Sequence, residues 1–194
     1  MGRYTTVNIL DLLEAVGEED TKEILADFKW PLNKEIEVFL NKNAIDFARR
    51  KMSITYLIVN ENGKVIAYFT LTHKPALVSS NLLSNSSKKK IERYARLDEE
   101  TKAYSVSAFL IAQFGKNAAY TESSEYSGIE LMDRAIDILK NVQRQVGGGV
   151  VFLECEDKLE LLNFYQNEQN RFIMYGERYS EMDQTLYKQL LKFF

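Results

Sequence analysis

Two features of the sequence suit the binding of a phosphate-bearing ligand and the donation of a proton to it. Ser127-Gly128 opens a helix after a buried strand and a polar loop. The first turn of a helix presents unpaired N–H groups and a positive dipole end, which together can hold a pyrophosphate without lysines. Tyr165 follows the next strand, so its phenol could donate a proton in the same crevice. On spacing alone, however, helix packing explains Phe164-Tyr165 better.

Glu154 is a second candidate for acid–base chemistry. Strand alternation places it on the face of Val150 and Phe152, opposite Leu153 and Cys155. A carboxylate at the carboxyl end of a parallel strand lies where open sheets meet their ligands. A solvated strand end explains the same residue equally well, so both interpretations stay open.

The sequence contains one histidine, His73, and one cysteine, Cys155. These counts exclude two-histidine metal sites, cysteine zinc cages and internal disulfides, so we expect no metal. His73 ends a strand, where a hydrogen-bonded or exposed histidine is commoner than a catalytic one. Glu154 and Glu156 would raise the pKa of the Cys155 thiol, which argues against a nucleophilic thiolate.

Glycine and lysine clusters suggest two further phosphate sites. Gly147 to Gly149 close a helix and precede a strand, which predicts a helix end and turn instead of a phosphate loop. Gly115-Lys116 lacks the other residues of a P-loop. Lys88 to Lys90, Arg93 and Arg96 form a basic helix face that could contact phosphates, although a solvated helix is the commoner explanation.

The elements that must position these residues follow from hydrophobic periodicity. We predict strands, helices and a hairpin in this order: a strand at 4–9, helices at 21–29 and 33–51, a hairpin of 53–59 with 64–72 around Asn60-Glu61-Asn62-Gly63, a helix at 88–97 capped by Ser87, a central strand at 103–114, a loop at 115–126, a helix at 127–145, a strand at 150–155, a helix at 157–167, and antiparallel strands at 171–174 and 186–194. The strand–helix–strand passage around 127–145 implies a parallel pair of strands.

The length of 194 residues, the net charge of -3 and the hydrophobic content of 45% fit one domain, 1–194, with a polar, partly helical insertion at 78–102 between strands. No apolar run is long enough to span a membrane, and the first residues lack the apolar segment of a secretory signal. We therefore expect a cytoplasmic protein that does not enter a membrane. The apolar C-terminus (Leu190, Leu191, Phe193, Phe194) could form part of a homodimer interface.

Several segments together resemble the GCN5-related N-acetyltransferase (GNAT) superfamily from about Asn33 to the C-terminus. They are the passages at 44–50, 55–59, 65–71 and 109–113, the Gly128 helix, and 152–156 followed by Asn163-Phe164-Tyr165. The first passage is similar to the acetyltransferase-type toxins of bacterial toxin–antitoxin systems. The resemblance implies a mixed α/β fold, in which a central sheet with a splayed pair of parallel strands is flanked by helices.

The resemblance also implies acetyl-coenzyme A as co-substrate and a primary amine as acceptor, on a small molecule, a protein or an aminoacyl-tRNA. The pantetheine of acetyl-coenzyme A would pair with the backbone of Phe114, Gly115 and Lys116. The pyrophosphate of the same co-substrate would lie on the first turn of the helix predicted at 127–145 (Ser127, Gly128, Ile129, Glu130). Tyr165 would protonate the departing thiolate, and Glu154 could act as a base through water, while the amine attacks the thioester directly.

The chain departs from the family pattern in its phosphate loop. The glutamine/arginine and the two small residues of that pattern fall on Ser123, Tyr126 and Gly128, where only Gly128 matches. The alternative hypothesis is therefore a non-catalytic binding or interaction module with the same fold. Arg49, Arg50 and the basic face at 88–96 are the features that favour an RNA-borne acceptor.

Overall fold

The computed structural model describes residues 3–31, 33–120 and 126–194. The strands of this part of the chain are β1 (Tyr4–Asn8), β2 (Ile54–Asn60), β3 (Val65–Ser79), β4 (Leu97–Asp98), β5 (Ala103–Lys116), β6 (Val150–Glu156), β7 (Ile173–Ser180) and β8 (Thr185–Phe193). The helices are α1 (Ile9–Val16), α2 (Glu18–Ala26), α3 (Lys34–Val38), α4 (Ala44–Arg49), α5 (Asn85–Ile91), α6 (Gly128–Val146) and α7 (Leu159–Gln166). A π-helical segment, Phe39–Asn43, joins α3 to α4.

The chain divides into two compact units. The first comprises Met1–Thr72 and Ile111–Ile136, and the second comprises His73–Leu110 and Asp137–Phe194. β3, β5 and α6 each begin in one unit and end in the other. The two units are described in turn.

In the first unit, β2 and β3 form the hairpin that the sequence predicts. The antiparallel register pairs Ile54 with Leu71 and Leu57 with Tyr68, and β1 lies antiparallel on the other side of β2. The turn needs a glycine because Gly63 has φ +74°. The hairpin prediction is confirmed.

Helices α1, α2 and α4 and the π-helical segment supply six of the ten buried residues in the first unit's core cluster. Asn33 caps α3 as predicted, since its Oδ1 accepts the N–H of Glu35 at 2.9 Å. The helices pack against β2 and β3 through one cluster of buried side chains: Ile9, Leu25, Phe28, Phe39, Leu40, Ala44, Ala48, Leu57, Val65 and Tyr68. Burial of this apolar surface is the main force that holds the unit together.

In the second unit, β5 and β6 form the predicted parallel pair, with Phe109 opposite Val151 and Leu110 opposite Phe152. β8 pairs antiparallel with β6, and β7 pairs antiparallel with β8, so the prediction of two final antiparallel strands is also confirmed. β7 is longer than predicted and runs to Ser180. The mixed α/β fold with a parallel pair of strands is therefore the observed fold.

The predicted insertion at 78–102 is wrong in two details. β3 continues through Pro75 to Ser79, because Ala76 and Val78 alternate with exposed residues and pack into the second unit's core. The helix runs from Asn85 to Ile91 instead of from Lys88 to Leu97, so Arg93 and Arg96 lie beyond its end. It is capped by Ser84, whose Oγ accepts the N–H of Ser87 at 3.2 Å. Ser87, the predicted cap, is a buried residue within the helix.

The three glycines after α6 end the helix, as predicted. Gly147 and Gly148 have φ +81° and +99°, which disfavour any residue with a Cβ. A Cβ on Gly149 would lie 2.0 Å from the ring of Tyr94, so this glycine makes room for the tyrosine that follows α5. The glycines thus have a structural explanation in the second unit.

The apolar C-terminus belongs largely to the core of its own chain. Leu190 and Leu191 are fully buried, and Leu191 packs in the second unit's cluster with Val150, Phe152 and Tyr175. Phe193 is partly buried against the same cluster. Packing within the chain therefore explains the two leucines without a partner, and the homodimer stays a prediction.

Candidate functional site

The end of β5, with Phe114, Gly115 and Lys116, lies in the first unit and is packed closely by α3. A Cβ on Gly115 would lie 2.9 Å from Cγ2 of Ile36 and 3.9 Å from the ring of Phe28. The missing side chain therefore lets α3 approach the strand. The predicted pairing of this backbone with pantetheine stays a prediction.

Asn117, the residue that follows β5, holds this strand end in place. It is fully buried, and its Oδ1 accepts the N–H groups of Lys29 and Ala119, each at 3.1 Å. Its Nδ2 donates to the carbonyl oxygens of Asp27 at 3.2 Å and Val65 at 2.9 Å. The sequence predicts a polar loop at Asn117, because an asparagine after a strand gives no signal that its side chain is buried.

The first turn of α6 is closed by a reciprocal capping box. Ser127 Oγ accepts the N–H of Glu130 at 3.1 Å, while the Glu130 carboxylate accepts the Ser127 N–H at 2.8 Å and its hydroxyl at 2.9 Å. Among the described residues, no acceptor bonds the N–H of Gly128 or Ile129. These two N–H groups are what the turn can offer an anion, because the N–H of Glu130 already donates to Ser127 Oγ.

The Glu130 carboxylate is ionised at neutral pH. The hydrogen bonds from the Ser127 N–H and hydroxyl hold its pKa below the usual value, and Arg134 and Lys116 add smaller effects in the same direction. A negative charge therefore occupies the helix end at which a pyrophosphate is predicted to bind. A bound pyrophosphate would have to displace this carboxylate or tolerate its repulsion.

We expect Glu130→Gln to bind acetyl-coenzyme A about threefold to tenfold more tightly than the wild type at low salt. Glutamine keeps the acceptor of the capping box but removes a charge that costs an adjacent phosphate on the order of 1 kcal/mol. Calorimetric titration measures the change, and Asp133→Asn in the same helix is the matched control for the loss of one charge. Equal affinities of Glu130→Gln and the wild type would contradict the inhibitory effect of the carboxylate.

Arg134 fixes α6 to the N-terminal strand of the first unit. Its guanidinium donates to Thr6 Oγ1 at 2.7 Å and to the carbonyl oxygen of Tyr4 at 3.1 Å, and it lies over the ring of Tyr126 at 5.7 Å. Burial raises the pKa of Tyr126 to about 12. Tyr126 occupies one of the small-residue positions of the family pattern and serves as a packing residue here, while Ser123 lies outside the described residues.

Tyr165 lies in α7 of the second unit and is buried. The edges of Phe164 and Phe172 meet its ring, with centroids 5.0 Å and 6.0 Å away. Burial, with a smaller effect of Cys155, holds the pKa of the Tyr165 phenol well above its usual value. The phenol is therefore protonated throughout the working pH range, so it can serve as a proton donor and not as a base.

Glu154 is held in a network of hydrogen bonds. Its Oε2 accepts from Arg178 at 2.7 Å and 2.9 Å, and its Oε1 accepts from Gln189 Nε2 at 2.7 Å. Burial raises the pKa of Glu154, but the bonds from Arg178 and Gln189 outweigh it and leave the pKa below its usual value. A carboxylate so stabilised is a weaker base than an ordinary glutamate, and these contacts favour a role in joining β6 to β7 and β8.

His73 and Cys155 have environments that match the sequence interpretation. His73 Nε2 lies 3.1 Å from Ser107 Oγ on the neighbouring strand, and its ring meets the edge of Phe109. Burial, with smaller effects of Asp157 and Glu156, raises the pKa of the Cys155 thiol to about 11. A thiol with this pKa is neutral at pH 7 and is not an effective nucleophile.

The basic residues divide into paired and unpaired sets. Arg49 and Arg50 form ion pairs with Glu18 and Asp46, so their charges are already compensated within the first unit. Lys89, Arg93 and Arg96 are exposed, and in the described part of the chain no carboxylate pairs with them. The neighbouring Glu92 accepts the Tyr104 hydroxyl at 3.1 Å, and Glu99 pairs with Lys102 at 2.6 Å. Lys89 lies in α5, whereas Arg93 and Arg96 lie in the segment that follows it; the three residues together are called the α5 basic face.

Residues 3–31, 33–120 and 126–194 contain no group of three or more His, Cys, Asp or Glu side chains arranged to hold a metal ion. Within the same ranges, no helix is both long enough and apolar enough to cross a bilayer.

The sequence matches no family model and no curated protein. Solved structures, in contrast, match along almost the whole chain. AtaT complexed with acetyl-methionyl-tRNAfMet has 15% identity and a TM-score of 0.66, covering 95% of this chain and 93% of that one. A tyrosine-to-phenylalanine mutant of the toxin AtaT, bound to acetyl-CoA and the C-terminus of the antitoxin AtaR, has 14% identity and a TM-score of 0.64, covering 99% and 94%.

A tyrosine-to-phenylalanine mutant of KacT has 14% identity and a TM-score of 0.65, covering 97% of this chain and 95% of that one. At these identities the likeness shows the fold. The fold expected from the sequence is therefore confirmed by the architecture and by its structural neighbours.

Proposed function

We propose that this chain, which has the fold of the GCN5-related N-acetyltransferases, transfers an acetyl group from acetyl-coenzyme A to a primary amine. The observation that supports the proposal most is the arrangement in the first unit, where Asn117 fixes the end of β5 and the N–H groups of Gly128 and Ile129 remain available at the start of α6. Structural neighbours solved with acetyl-coenzyme A support the same co-substrate.

The proposed roles of the first unit follow from its main-chain groups. Phe114, Gly115 and Lys116 would bind the pantetheine arm through the backbone, and Ser127 to Glu130 would hold the pyrophosphate once the Glu130 carboxylate has moved aside. No cation of the chain is required for this, since N–H groups and the helix dipole supply the favourable potential. The bound thioester supplies the activated acetyl group.

The proposed chemistry is a direct transfer. The amine nitrogen attacks the thioester carbonyl carbon, the carbon–sulfur bond breaks, and an amide forms. Tyr165 gives its phenolic proton to the departing sulfur, the amine loses its proton to solvent, and the phenolate takes one proton back from solvent, so that the phenol is restored for the next cycle. Glu154 would assist as a base only through water, and its bonds to Arg178 and Gln189 make that the weaker part of the proposal.

An aminoacyl-tRNA is the acceptor that we propose among the amines. AtaT, a structural neighbour, is solved with acetyl-methionyl-tRNAfMet. The α5 basic face supplies cations that no carboxylate of the described residues neutralises, and the exposed Tyr94 ring beside it offers a surface for base stacking. Arg49 and Arg50, the other residues that suggested RNA, are less suitable because both are ion-paired.

We expect the triple variant Lys89→Gln, Arg93→Gln, Arg96→Gln to bind tRNA at least about tenfold more weakly and to lower the salt slope by about 2 to 3, because each phosphate contact contributes about 0.9. Fluorescence anisotropy at several salt concentrations measures both quantities. Lys64→Gln, Lys140→Gln and Lys188→Gln together are the control, since they remove the same charge from ion-paired lysines. A salt slope equal to that of the wild type would exclude this face as the RNA contact.

The second candidate function is a non-catalytic binding module with the same fold. The observation that favours it is the Glu130 carboxylate at the helix end, together with the mismatches at Ser123 and Tyr126. Calorimetric titration of the chain with acetyl-coenzyme A separates the two functions. The enzyme predicts saturable binding with one molecule per chain, whereas no binding at millimolar acetyl-coenzyme A would leave only the module.

A further inference from the structure

A cleft of about 210 Å³ lies in the first unit, between α2 and the helical passage from the π-helical segment into α4. We call it the α2–α4 cleft. Its walls combine cations, carboxylates, one amide and one apolar side chain, and the residues used below are Glu18, Asn41, Lys42, Ile45, Asp46 and Arg49. None of these groups has a part in the proposed acetyl transfer.

The cationic wall of the cleft is only partly neutralised. Glu18 pairs with Lys22 at 2.7 Å and with Arg49, and the hydrogen bonds from Lys22 and then from Arg49 hold its pKa below the usual value. Arg49 uses one terminal nitrogen in this pair. Lys42 has no carboxylate partner among the described residues. Lys42 and the remaining N–H groups of Arg49 can therefore receive an anionic group.

Asn41 and Asp46 offer the cleft's hydrogen-bond acceptors for a cationic group. The Oδ1 atom of Asn41 is buried and accepts no hydrogen bond from the described part of the chain. This oxygen therefore lacks the donor partner that a buried acceptor normally has. Asp46 uses Oδ2 for Arg50, at 3.2 Å. Asn41 belongs to the π-helical segment, where the N–H of Ala44 bonds the Phe39 carbonyl oxygen, and such segments occur mostly at functional sites.

We infer that the α2–α4 cleft binds a small zwitterion of the free amino-acid class. The carboxylate pairs with Lys42 and Arg49, and the ammonium group donates to Asp46 and to Asn41 after a small rotation of the amide. Ile45 contacts the side chain of the ligand. A simple anion satisfies only Lys42 and Arg49 and leaves the Asn41 oxygen without a donor, whereas an amino acid provides a partner for both sets of groups.

Calorimetric titration of the full chain with each of the standard L-amino acids tests this inference without acetyl-coenzyme A, so its outcome is independent of the acetyl transfer. We expect one or more to bind, and the N-acetyl derivative and the methyl ester of the best ligand to bind at least about tenfold more weakly, because each lacks one charge. Lys42→Met and Asn41→Ala should each weaken binding about tenfold. Lys140→Met, at an exposed lysine of α6, should bind as the wild type does.

Thermal unfolding controls for the fold of the variants. Asn41→Ala should not lower the unfolding temperature, because it removes an acceptor that has no donor, and Lys42→Met changes an exposed side chain. Three results would overturn the inference: no amino acid binds at millimolar concentration, acetate or propionate binds as tightly as the amino acids do, or both folded variants bind like the wild type.

Discussion

Tyr165→Phe is expected to lower the turnover number for acetyl transfer about 100-fold or more while leaving the affinity for acetyl-coenzyme A nearly unchanged. A positioned general acid contributes on the order of 10²- to 10⁴-fold to rate, and phenylalanine removes the proton donor while keeping the ring. The ring retains its contacts with Phe164 and Phe172, so the variant should fold. Steady-state kinetics with a thiol-detecting reagent measures the loss.

Tyr175→Phe is the matched control for this variant. Tyr175 is another buried tyrosine of the second unit, and burial likewise raises the pKa of its phenol. It lies in β7 and has no proposed role, so its variant should keep the turnover of the wild type. If Tyr165→Phe is folded and turns over as fast as Tyr175→Phe, the proton for the departing thiolate comes from elsewhere.

Asn117→Ala is expected to lower the free energy of unfolding by about 2 to 5 kcal/mol, because the truncation removes four hydrogen bonds that this fully buried side chain makes to the N–H groups of Lys29 and Ala119 and to the carbonyl oxygens of Asp27 and Val65. The backbone of Phe114 to Lys116 should also lose its fixed position. Any protein that remains folded should therefore bind acetyl-coenzyme A more weakly. Chemical denaturation measures the stability, and Asn141→Ala on the exposed face of α6 should be nearly neutral.

Asn117→Asp provides a pH-dependent version of the same test. An ionised aspartate at this position would face the carbonyl oxygens of Asp27 and Val65, which now accept from the amide. The folded state should therefore raise the pKa of the introduced carboxyl above its unfolded value. Its stability relative to the wild type should be greatest below the unfolded pKa of about 4 and should fall as pH rises through the folded pKa. A difference that does not change with pH would contradict the buried contacts.

The elements that the sequence predicted well are those set by local chemistry. The Asn60–Gly63 turn, the Asn33 cap and the helix end at Gly147 follow from backbone preferences that act over a few residues. The parallel pair of β5 and β6 followed from the length of the helical crossover. For these elements the tertiary contacts are compatible with the local backbone preferences, so the sequence alone was sufficient to predict them.

The features that the sequence did not predict depend on contacts between distant residues. Asn117 is 88 residues from Lys29, and Arg134 is 128 residues from Thr6, so neither contact has a local pattern. β3 is longer than predicted because Ala76 and Val78 are buried in the core of the second unit. The ion pairs of Arg49 with Glu18 and of Glu154 with Arg178 likewise join separate elements.

One missed feature of the candidate site did have a local signal. Ser127-Gly128-Ile129-Glu130 has the serine and glutamate spacing of a capping box, which predicts that the carboxylate folds back onto the helix start. The same four residues that would receive the pyrophosphate thus also contain the group that competes with it.

Transfer of a labelled acetyl group tests the proposed function most directly. The wild-type chain is incubated with acetyl-coenzyme A labelled in the acetyl group and with charged tRNA, peptides or small primary amines as acceptors. The proposal predicts label in an amide on an amine, with one free thiol released for each acetyl group transferred, and a much slower reaction with Tyr165→Phe. A chain that binds acetyl-coenzyme A but transfers no label to any of these amines would contradict it.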